Sequence, residues 1–167
     1  MKIAIGSDEL GFDLKKVLSV FLKEQTDIPV EVVDFGAYDT NPVDYPIVAV
    51  KVAEAIAAGE FERGILICGT GIGMAITANK VSGIRAAQVS DPYQAERARK
   101  SNNAQIITLG ALTIGREVAK SLVQIWLKSE FQGGNSAFKV NEIDEVDKRY
   151  HADRNHMEDI TPRCSGA

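Results

Sequence analysis

A cysteine between an apolar run and a glycine-rich turn is the feature of this sequence best suited to chemistry. Cys68 follows the apolar residues 64–67, and glycines at 69, 71 and 73 lead into a small-residue pattern typical of a helix. A thiol at a helix start meets the positive end of the helix dipole and unpartnered N–H groups, and both favour the thiolate. The same N–H groups can hold an oxyanion or phosphate. The segment predicts a base beside an anion hole, and a buried packing cysteine is the open alternative.

Three observations narrow the chemistry available around this turn. The alternating glycines match neither the dinucleotide fingerprint nor the P-loop, which disfavours a nucleotide site. The two histidines, His151 and His156, lie near the C-terminus, so histidine-dependent acid–base chemistry within the body is excluded and a histidine reaching a neighbour's site is a remote alternative. No set of His, Cys or carboxylate residues has the spacing of metal ligands, so we predict no metal site.

Two hydroxyl- or carboxyl-bearing residues have both a structural and a functional interpretation. Asp8 follows the first predicted strand, where it can cap the first helix or orient a substrate hydroxyl. Thr70 lies two residues from the thiol, where it can satisfy the turn or donate to a developing oxyanion. Both interpretations stay open for each residue.

The length and composition of the chain limit its number of domains and its kinds of partner. The 167 residues, 45% of them hydrophobic, suffice for one core and hardly for two. The net charge is -4, and the densest basic stretch, 97–100, is interpreted as the solvated face of a helix, so the sequence predicts neither a nucleic-acid partner nor an anionic membrane surface. No apolar run has the length of a membrane span. The two distant cysteines predict no disulfide, and the absence of a signal peptide pattern fits a cytoplasmic protein.

The elements that must position these residues alternate in type along the chain. Short β-branched runs alternate with helical patterns, which is typical of βα units with a parallel sheet. The predicted strands are 2–7, 30–34, 64–68, 84–88 and 105–109, and the predicted helices are 11–25, 46–58, 71–80, 92–101 and 115–130. This order predicts an α/β fold, a three-layer αβα sandwich with a five-stranded parallel, doubly wound sheet. Such sheets bind ligands beyond the carboxyl ends of their strands, where Asp8 and Cys68 are expected.

A different composition follows residue 131. Apolar residues at 140, 143 and 146 predict a C-terminal helical extension near 139–150, packed on a partner subunit or on its own domain. Residues 151–167 are a polar tail. We therefore predict one domain over residues 1–150.

Several short motifs together form a pattern known from one enzyme family. They are Gly6-Ser7-Asp8 with Gly11, Asp34-Phe35-Gly36, Asp44-Tyr45-Pro46, Ile67-Cys68-Gly69-Thr70-Gly71-Ile72-Gly73, Ala78-Asn79-Lys80 and Gly83-Ile84-Arg85-Ala86. The pattern resembles the ribose-5-phosphate isomerase B / galactose-6-phosphate isomerase family over residues 2–150. The Cys-Gly-Thr-Gly-Ile-Gly motif is its most specific part.

The resemblance implies aldose–ketose isomerisation of a phosphorylated sugar through a cis-enediolate, with no metal or cofactor. It implies that Cys68 is the base and that Thr70 assists it. The enediolate oxygens would be held by the amides of Gly69, Gly71, Ile72 and Gly73. Members of the family are dimers whose sites combine residues of both subunits, so a homodimer or a dimer of dimers is expected.

The chain departs from the ribose-5-phosphate isomerases at two histidines. Their Asp-His-Ala-Gly motif reads Asp8-Glu9-Leu10-Gly11 here, and Ser101 and Asn102 stand where they have a histidine and its neighbouring asparagine. The second histidine is credited with opening the furanose ring, but a tetrose 4-phosphate cannot close a furanose. Such a substrate needs no ring-opening histidine. The segments Ser101-Asn102-Asn103-Ala104-Gln105-Ile106-Ile107 and Asn141-Glu142-Ile143-Asp144-Glu145-Val146-Asp147 resemble the branch of the family that interconverts D-erythrulose 4-phosphate and D-erythrose 4-phosphate. This resemblance implies that Asp8, Glu9, Ser101 and Asn102 lie at the substrate.

The expected phosphate site is also altered. Leu112 and Asn135 stand where the family usually has arginines, and Lys139 is the position that keeps a positive charge. A lysine can bind phosphate as a point charge but lacks the two parallel donors of arginine. The alternative for Lys139 is a position on a solvated helix face. Two further hypotheses are a pentose- or hexose-phosphate isomerase and a non-catalytic sugar-phosphate-binding subunit.

Overall fold

The chain folds as a five-stranded parallel sheet with helices on both faces. A computed structural model describes residues 1–24 and 27–152. The strands are Lys2–Ser7 (β1), Glu31–Asp34 (β2), Arg63–Cys68 (β3), Ala86–Gln88 (β4) and Ile106–Gly110 (β5). The helices are Phe12–Lys23 (α1), Tyr45–Ala57 (α2), Ile72–Ala78 (α3), Pro92–Lys100 (α4), Arg116–Lys128 (α5) and Asn135–Ala152 (α6). The strand order is β2-β1-β3-β5-β4 with every pair parallel, which confirms the predicted three-layer α/β fold.

Two apolar cores lie on opposite faces of the sheet because successive strand residues point to opposite sides. In β3, every residue of which is buried, Ile65 and Ile67 join the core formed with α1, α4 and α5. Leu66 and Cys68 join the core formed with α2 and α3. The side chain of Cys68 is therefore directed toward the α2 and α3 side of the sheet.

The boundaries of several elements differ from the prediction by a few residues. β4 begins at Ala86 rather than at 84, since Ile84 lies in a turn and the Arg85 N–H donates to the Gln105 side chain at 2.9 Å. The last helix begins at 135, directly after two glycines with positive φ, and is longer than the predicted 139–150. Of the predicted tail, residues 151 and 152 belong to this helix, and 153–167 lie outside the described residues.

A buried arginine closes the C-terminal end of α5. Arg63 is 2% exposed, and its guanidinium donates to the carbonyl oxygens of Trp126 (2.7 Å), Leu127 (3.2 Å) and Ser129 (3.0 Å). It also donates to the Glu130 carboxylate at 2.7 Å. The last carbonyls of a helix have no donor within it, so Arg63 supplies these donors and ties α5 to β3.

The helix α6 is attached to the rest of the chain mainly by polar contacts. Asp144 accepts from the Arg85 guanidinium at 2.6 Å, and Asp147 accepts from the Ser82 hydroxyl at 2.7 Å. Val140 is buried, whereas Ile143 and Val146 are about half exposed. One of the three predicted apolar positions thus packs on its own domain, and two leave apolar surface uncovered.

Candidate active site

The site is built around the end of β3, in the middle of the sheet. Cys68 is the last residue of this strand, is 5% exposed and lies opposite Gly110 of β5. Its Sγ accepts the Gly71 N–H at 3.1 Å. A backbone donor aimed at sulfur stabilises negative charge on it. The geometry thus gives Sγ a backbone hydrogen-bond donor.

The turn after Cys68 depends on one glycine conformation. Gly71 has φ +79°, a left-handed value that L side chains rarely adopt, and a Cβ there would lie 3.0 Å from the backbone of Leu109. Its carbonyl accepts the Thr108 hydroxyl at 2.7 Å, which anchors the turn to β5. α3 begins at the next residue, so its first-turn N–H groups lie beside the thiol.

Thr70 occupies the exposed part of the same turn. Its Oγ1 accepts the Ile72 N–H at 3.3 Å, and its own hydroxyl proton is free to rotate. Gly69 is buried, whereas Ile72 is exposed and Gly73 half-buried. The structure therefore brings together the predicted residues of the turn as one continuous arc at the carboxyl edge of the sheet.

Asp8 is brought next to this arc by the pairing of β1 with β3. Ser7 lies opposite Ile67, and the Asp8 N–H donates to the Ile67 carbonyl at 3.2 Å, so Asp8 stands one strand away from Cys68. Its Oδ1 accepts the Gly11 N–H at 2.9 Å, although α1 itself begins only at Phe12. Burial raises the pKa of the Asp8 carboxyl above its ordinary value, and the Gly11 N–H acts in the opposite direction.

Glu9 is tied to the loop between β2 and α2. Its Oε2 accepts the Val43 N–H at 3.0 Å, a contact between residues far apart in the sequence. This N–H lowers the pKa of the Glu9 carboxyl, so the group is held as an anion. The Glu9 side chain thus joins two loops at the edge that carries Cys68.

Leu10, Leu112 and Tyr45 line the mouth of the site, and of these three the sequence analysis placed only Leu112 near the substrate, at the expected phosphate site. A Cβ on Gly69 would lie 3.1 Å from a Leu10 methyl and 3.4 Å from a Leu112 methyl, so these exposed leucines flank it. The Tyr45 ring lies against Gly73, where a Cβ would be 2.6 Å from it. The Asp44-Tyr45-Pro46 motif in the sequence could have indicated a role for Tyr45. Its position beside the turn, however, depends on the packing of α2 on α3.

Three predicted residues are not brought to Cys68 within one chain. Ser101 and Asn102 follow α4 and precede β5, at the amino edge of the sheet, about 17 Å of strand away from the carboxyl edge. Asn102 lines a groove there with Arg85 and Ile143 of α6. Lys139 is exposed on α6, whose contacts are also with this edge. The site of one chain therefore contains the Cys68 turn, Asp8 and Glu9.

Within residues 1–24 and 27–152, no group of three or more His, Cys, Asp or Glu side chains is arranged to hold a metal ion. Among these same residues, no helix combines the length and apolar character needed to cross a membrane.

Comparisons with known proteins agree with one another. Residues 3–143 match the family model described as Ribose/Galactose Isomerase. The chain is 55% identical over 149 residues to a ribose-5-P isomerase B of Listeria innocua, covering 89% of this chain and 99% of the relative. It is 52% identical over 143 residues to a D-erythrulose-4-phosphate isomerase of Pectobacterium atrosepticum, covering 86% and 93%. The solved ribose-5-phosphate isomerase B of Clostridium thermocellum superposes with a TM-score of 0.86 at 49% identity, covering 90% of this chain and 99% of that chain.

Proposed function

The chain belongs to the ribose/galactose isomerase family and is a sugar-phosphate isomerase, and we propose that its substrates are D-erythrulose 4-phosphate and D-erythrose 4-phosphate. Both are open-chain sugars. In D-erythrose 4-phosphate the O4 that would close a furanose carries the phosphate, and D-erythrulose 4-phosphate has no oxygen placed to close a furanose on C2. Isomerisation of such a substrate needs proton transfer between C1 and C2 but no prior ring opening.

One observation carries this choice of substrate. Residues 1–150 contain no histidine, and Ser101 stands where a ring-opening histidine is expected in the ribose-5-phosphate isomerases. Histidine is the side chain best suited to ring opening at neutral pH, since its ordinary pKa lies near 6.5. A site that lacks it suits a substrate that arrives already open. The similarity to the Pectobacterium enzyme supports the same choice.

We propose Cys68 as the group that moves the proton. The thiolate removes the proton from C2 of the aldose, and the electron pair of that C–H bond forms the C1–C2 double bond of a cis-enediolate. The resulting thiol returns the proton to C1, while the hydroxyl proton on O2 is transferred to O1, which leaves the C2 carbonyl of the ketose. The Gly71 N–H, 3.1 Å from Sγ, is a donor placed to stabilise negative charge on the sulfur during this transfer.

The neighbouring groups suit the charge that develops on the enediolate oxygens. We propose that the amides of the turn from Gly69 to Gly73 hold these oxygens, with the rotatable Thr70 hydroxyl as a further donor. Asp8, buried one strand away, is proposed to orient a substrate hydroxyl with the oxygen that Gly11 leaves free.

A direct comparison of substrates tests the proposal. The kcat/KM for D-erythrose 4-phosphate is expected to exceed that for D-ribose 5-phosphate, the aldose that forms a furanose, by at least about tenfold, the lower range of discrimination by one carbon unit. Both rates are measured on the same preparation with coupled assays. A preference for the pentose phosphate would contradict the tetrose assignment and leave the isomerase function intact.

A second candidate is the ribose-5-phosphate isomerase reaction. The 55% identical relative from Listeria innocua bears that name and supports this alternative. Ring opening would then be spontaneous or assisted by another group. The same pair of assays separates the two candidates, because of the two aldoses only D-ribose 5-phosphate forms a furanose that must open before it reacts.

We propose that residues 1–150 form one isomerase domain that works as a homodimer, alone or as a dimer of dimers. The support is the division of predicted site residues between two edges: Cys68 and Asp8 at one, Asn102 and Lys139 at the other. Two subunits packed with the carboxyl edge of one sheet facing the amino edge of the other would bring both sets of residues together. Exposed apolar side chains on α6 suit such a contact, and they are Phe138, Ile143, Val146 and Tyr150.

Subunit mixing tests whether the site is shared. A Cys68→Ala variant and an Asn102→Ala, Lys139→Ala double variant are each expected to have little activity. Refolded together, they are expected to recover about one quarter of the wild-type activity, because half of the dimers are mixed and each has one intact site. Activity assays, with native mass spectrometry to count mixed dimers, provide the measurement.

Two results would contradict the shared site. One is formation of mixed dimers without recovery of activity. The other is full activity of the double variant, which would mean that neither Asn102 nor Lys139 serves the substrate. Refolding each variant alone is the matched control for gains caused by the refolding step itself.

A further inference from the structure

The edge of the sheet that carries Cys68 has an unusual balance of charge for a site that binds a phosphorylated sugar. The segments from each strand end to the third residue of the next helix are 8–14, 35–47, 69–74, 89–94 and 111–118. They contain seven acidic residues and a single basic one, Arg116. A phosphate dianion needs compensating positive charge, and along these segments Arg116 is its one source.

The lysines nearest to this edge are already engaged. Lys15 is 1% exposed, and its ammonium donates to the Asp34 carboxylate at 2.6 Å and to the Ala37 carbonyl. Lys16 is exposed and forms an ion pair with Asp13 at 3.4 Å. Their charges are therefore offset locally, which leaves neither of them as a free cation for the substrate.

Arg116 is connected to the Cys68 turn by a short, well-bonded segment. The Ala111 N–H donates to the Cys68 carbonyl at 2.8 Å, and the Leu112 N–H donates to the Gly69 carbonyl at 3.0 Å. The chain then makes one turn on Gly110 and enters α5, of which Arg116 is the first residue. Side chains on a helix lean toward its N-terminus, so Arg116 leans toward the edge that carries the turn.

The surroundings of Arg116 leave its guanidinium available. Arg116 is exposed, and among the described residues it has no hydrogen-bond or ion-pair partner. Glu117 beside it is paired with Lys120 at 2.8 Å. Leu112, four residues earlier, is 72% exposed at the mouth of the site and offers no donor to a phosphate.

We infer that Arg116 is the residue of this chain that binds the phosphate of the sugar substrate. The inference rests on the proposed sugar-phosphate site at Cys68 and deepens it by naming the missing cation. A guanidinium offers two parallel donors to phosphate oxygens and stays charged at every working pH. Lys139 of a second subunit is compatible with this role as an additional point charge.

Replacement of Arg116 separates binding from chemistry. Arg116→Gln is expected to raise KM for the sugar phosphate by about 10- to 100-fold while kcat changes less than about threefold, because the lost contact is present in both ground and transition states. Inorganic phosphate, used as a competitive inhibitor, is expected to show a matching rise in its inhibition constant. Arg116→Lys keeps the positive charge but lacks the two parallel N–H donors of the guanidinium, and it is expected to give an intermediate KM.

Lys16→Gln is the matched control, since it removes one exposed positive charge from the same end of the molecule. It is expected to leave KM and the phosphate inhibition constant unchanged. Unchanged constants in Arg116→Gln, or an equal rise in Lys16→Gln, would overturn the inference. The measurements use whichever sugar phosphate the wild type converts, so failure of the tetrose assignment and failure of the Arg116 assignment give different results.

Discussion

Cys68→Ala is expected to lower kcat by about 10²- to 10⁴-fold, the range that a general base contributes. The substitution removes the group proposed to take the proton, while the amides of the turn, Thr70 and Asp8 remain in place. Binding of the sugar phosphate is therefore expected to persist, within a few-fold of the wild-type affinity. Steady-state kinetics and calorimetric titration on the same samples measure the two quantities separately.

Alkylation of the thiol gives an independent measurement. Iodoacetamide is expected to inactivate the enzyme, and saturating substrate is expected to slow the loss. Cys164→Ser is the control, because Cys164 is the other cysteine of the chain and has no proposed role. Full kcat in Cys68→Ala would show that the thiol only packs in the core. Tight binding without turnover in the wild type would favour the non-catalytic alternative.

Arg63→Met is expected to cause the largest loss of stability among single substitutions away from the site. Methionine replaces the aliphatic part of the arginine side chain but has no guanidinium. The carbonyl oxygens of Trp126, Leu127 and Ser129 therefore lose their donor. Leaving buried acceptors unpaired is expected to lower the free energy of unfolding by about 3 kcal/mol. For a chain of this size, that corresponds to a fall in Tm of about 6–12 °C.

Glu130→Gln is the matched control for this prediction. It removes the ion pair with Arg63 but leaves the three carbonyl contacts, and the Glu130 side chain is 71% exposed. Its effect on the free energy of unfolding is expected to stay below about 1 kcal/mol. Thermal and denaturant unfolding of both variants give the comparison. Equal losses of stability in the two variants would mean that Arg63 stabilises the fold through its ion pair with Glu130 and not through the carbonyls at the end of α5.

Much of the fold could be predicted from the sequence because its signals are local. Alternation of short β-branched runs with longer helical patterns requires only near neighbours, and it led to the five parallel strands that the structure contains. The helix predicted from residue 92 does begin there, and the Asp91 carboxylate caps it by accepting the Gln94 N–H at 2.9 Å. The least accurate predictions concern element ends, where a side chain such as that of Gln105 competes for the backbone.

The sequence by itself determined that Cys68, its glycine turn and Asp8 lie at one edge, because all carboxyl ends of parallel strands point the same way. Only the tertiary structure decided which distant residues meet there. The Glu9 contact with Val43, the leucines around Gly69 and the position of Arg116 depend on strand order and helix packing. The placement of Ser101, Asn102 and Lys139 at the other edge is of the same kind. Such contacts join residues far apart in the chain, so no local pattern of residue types encodes them.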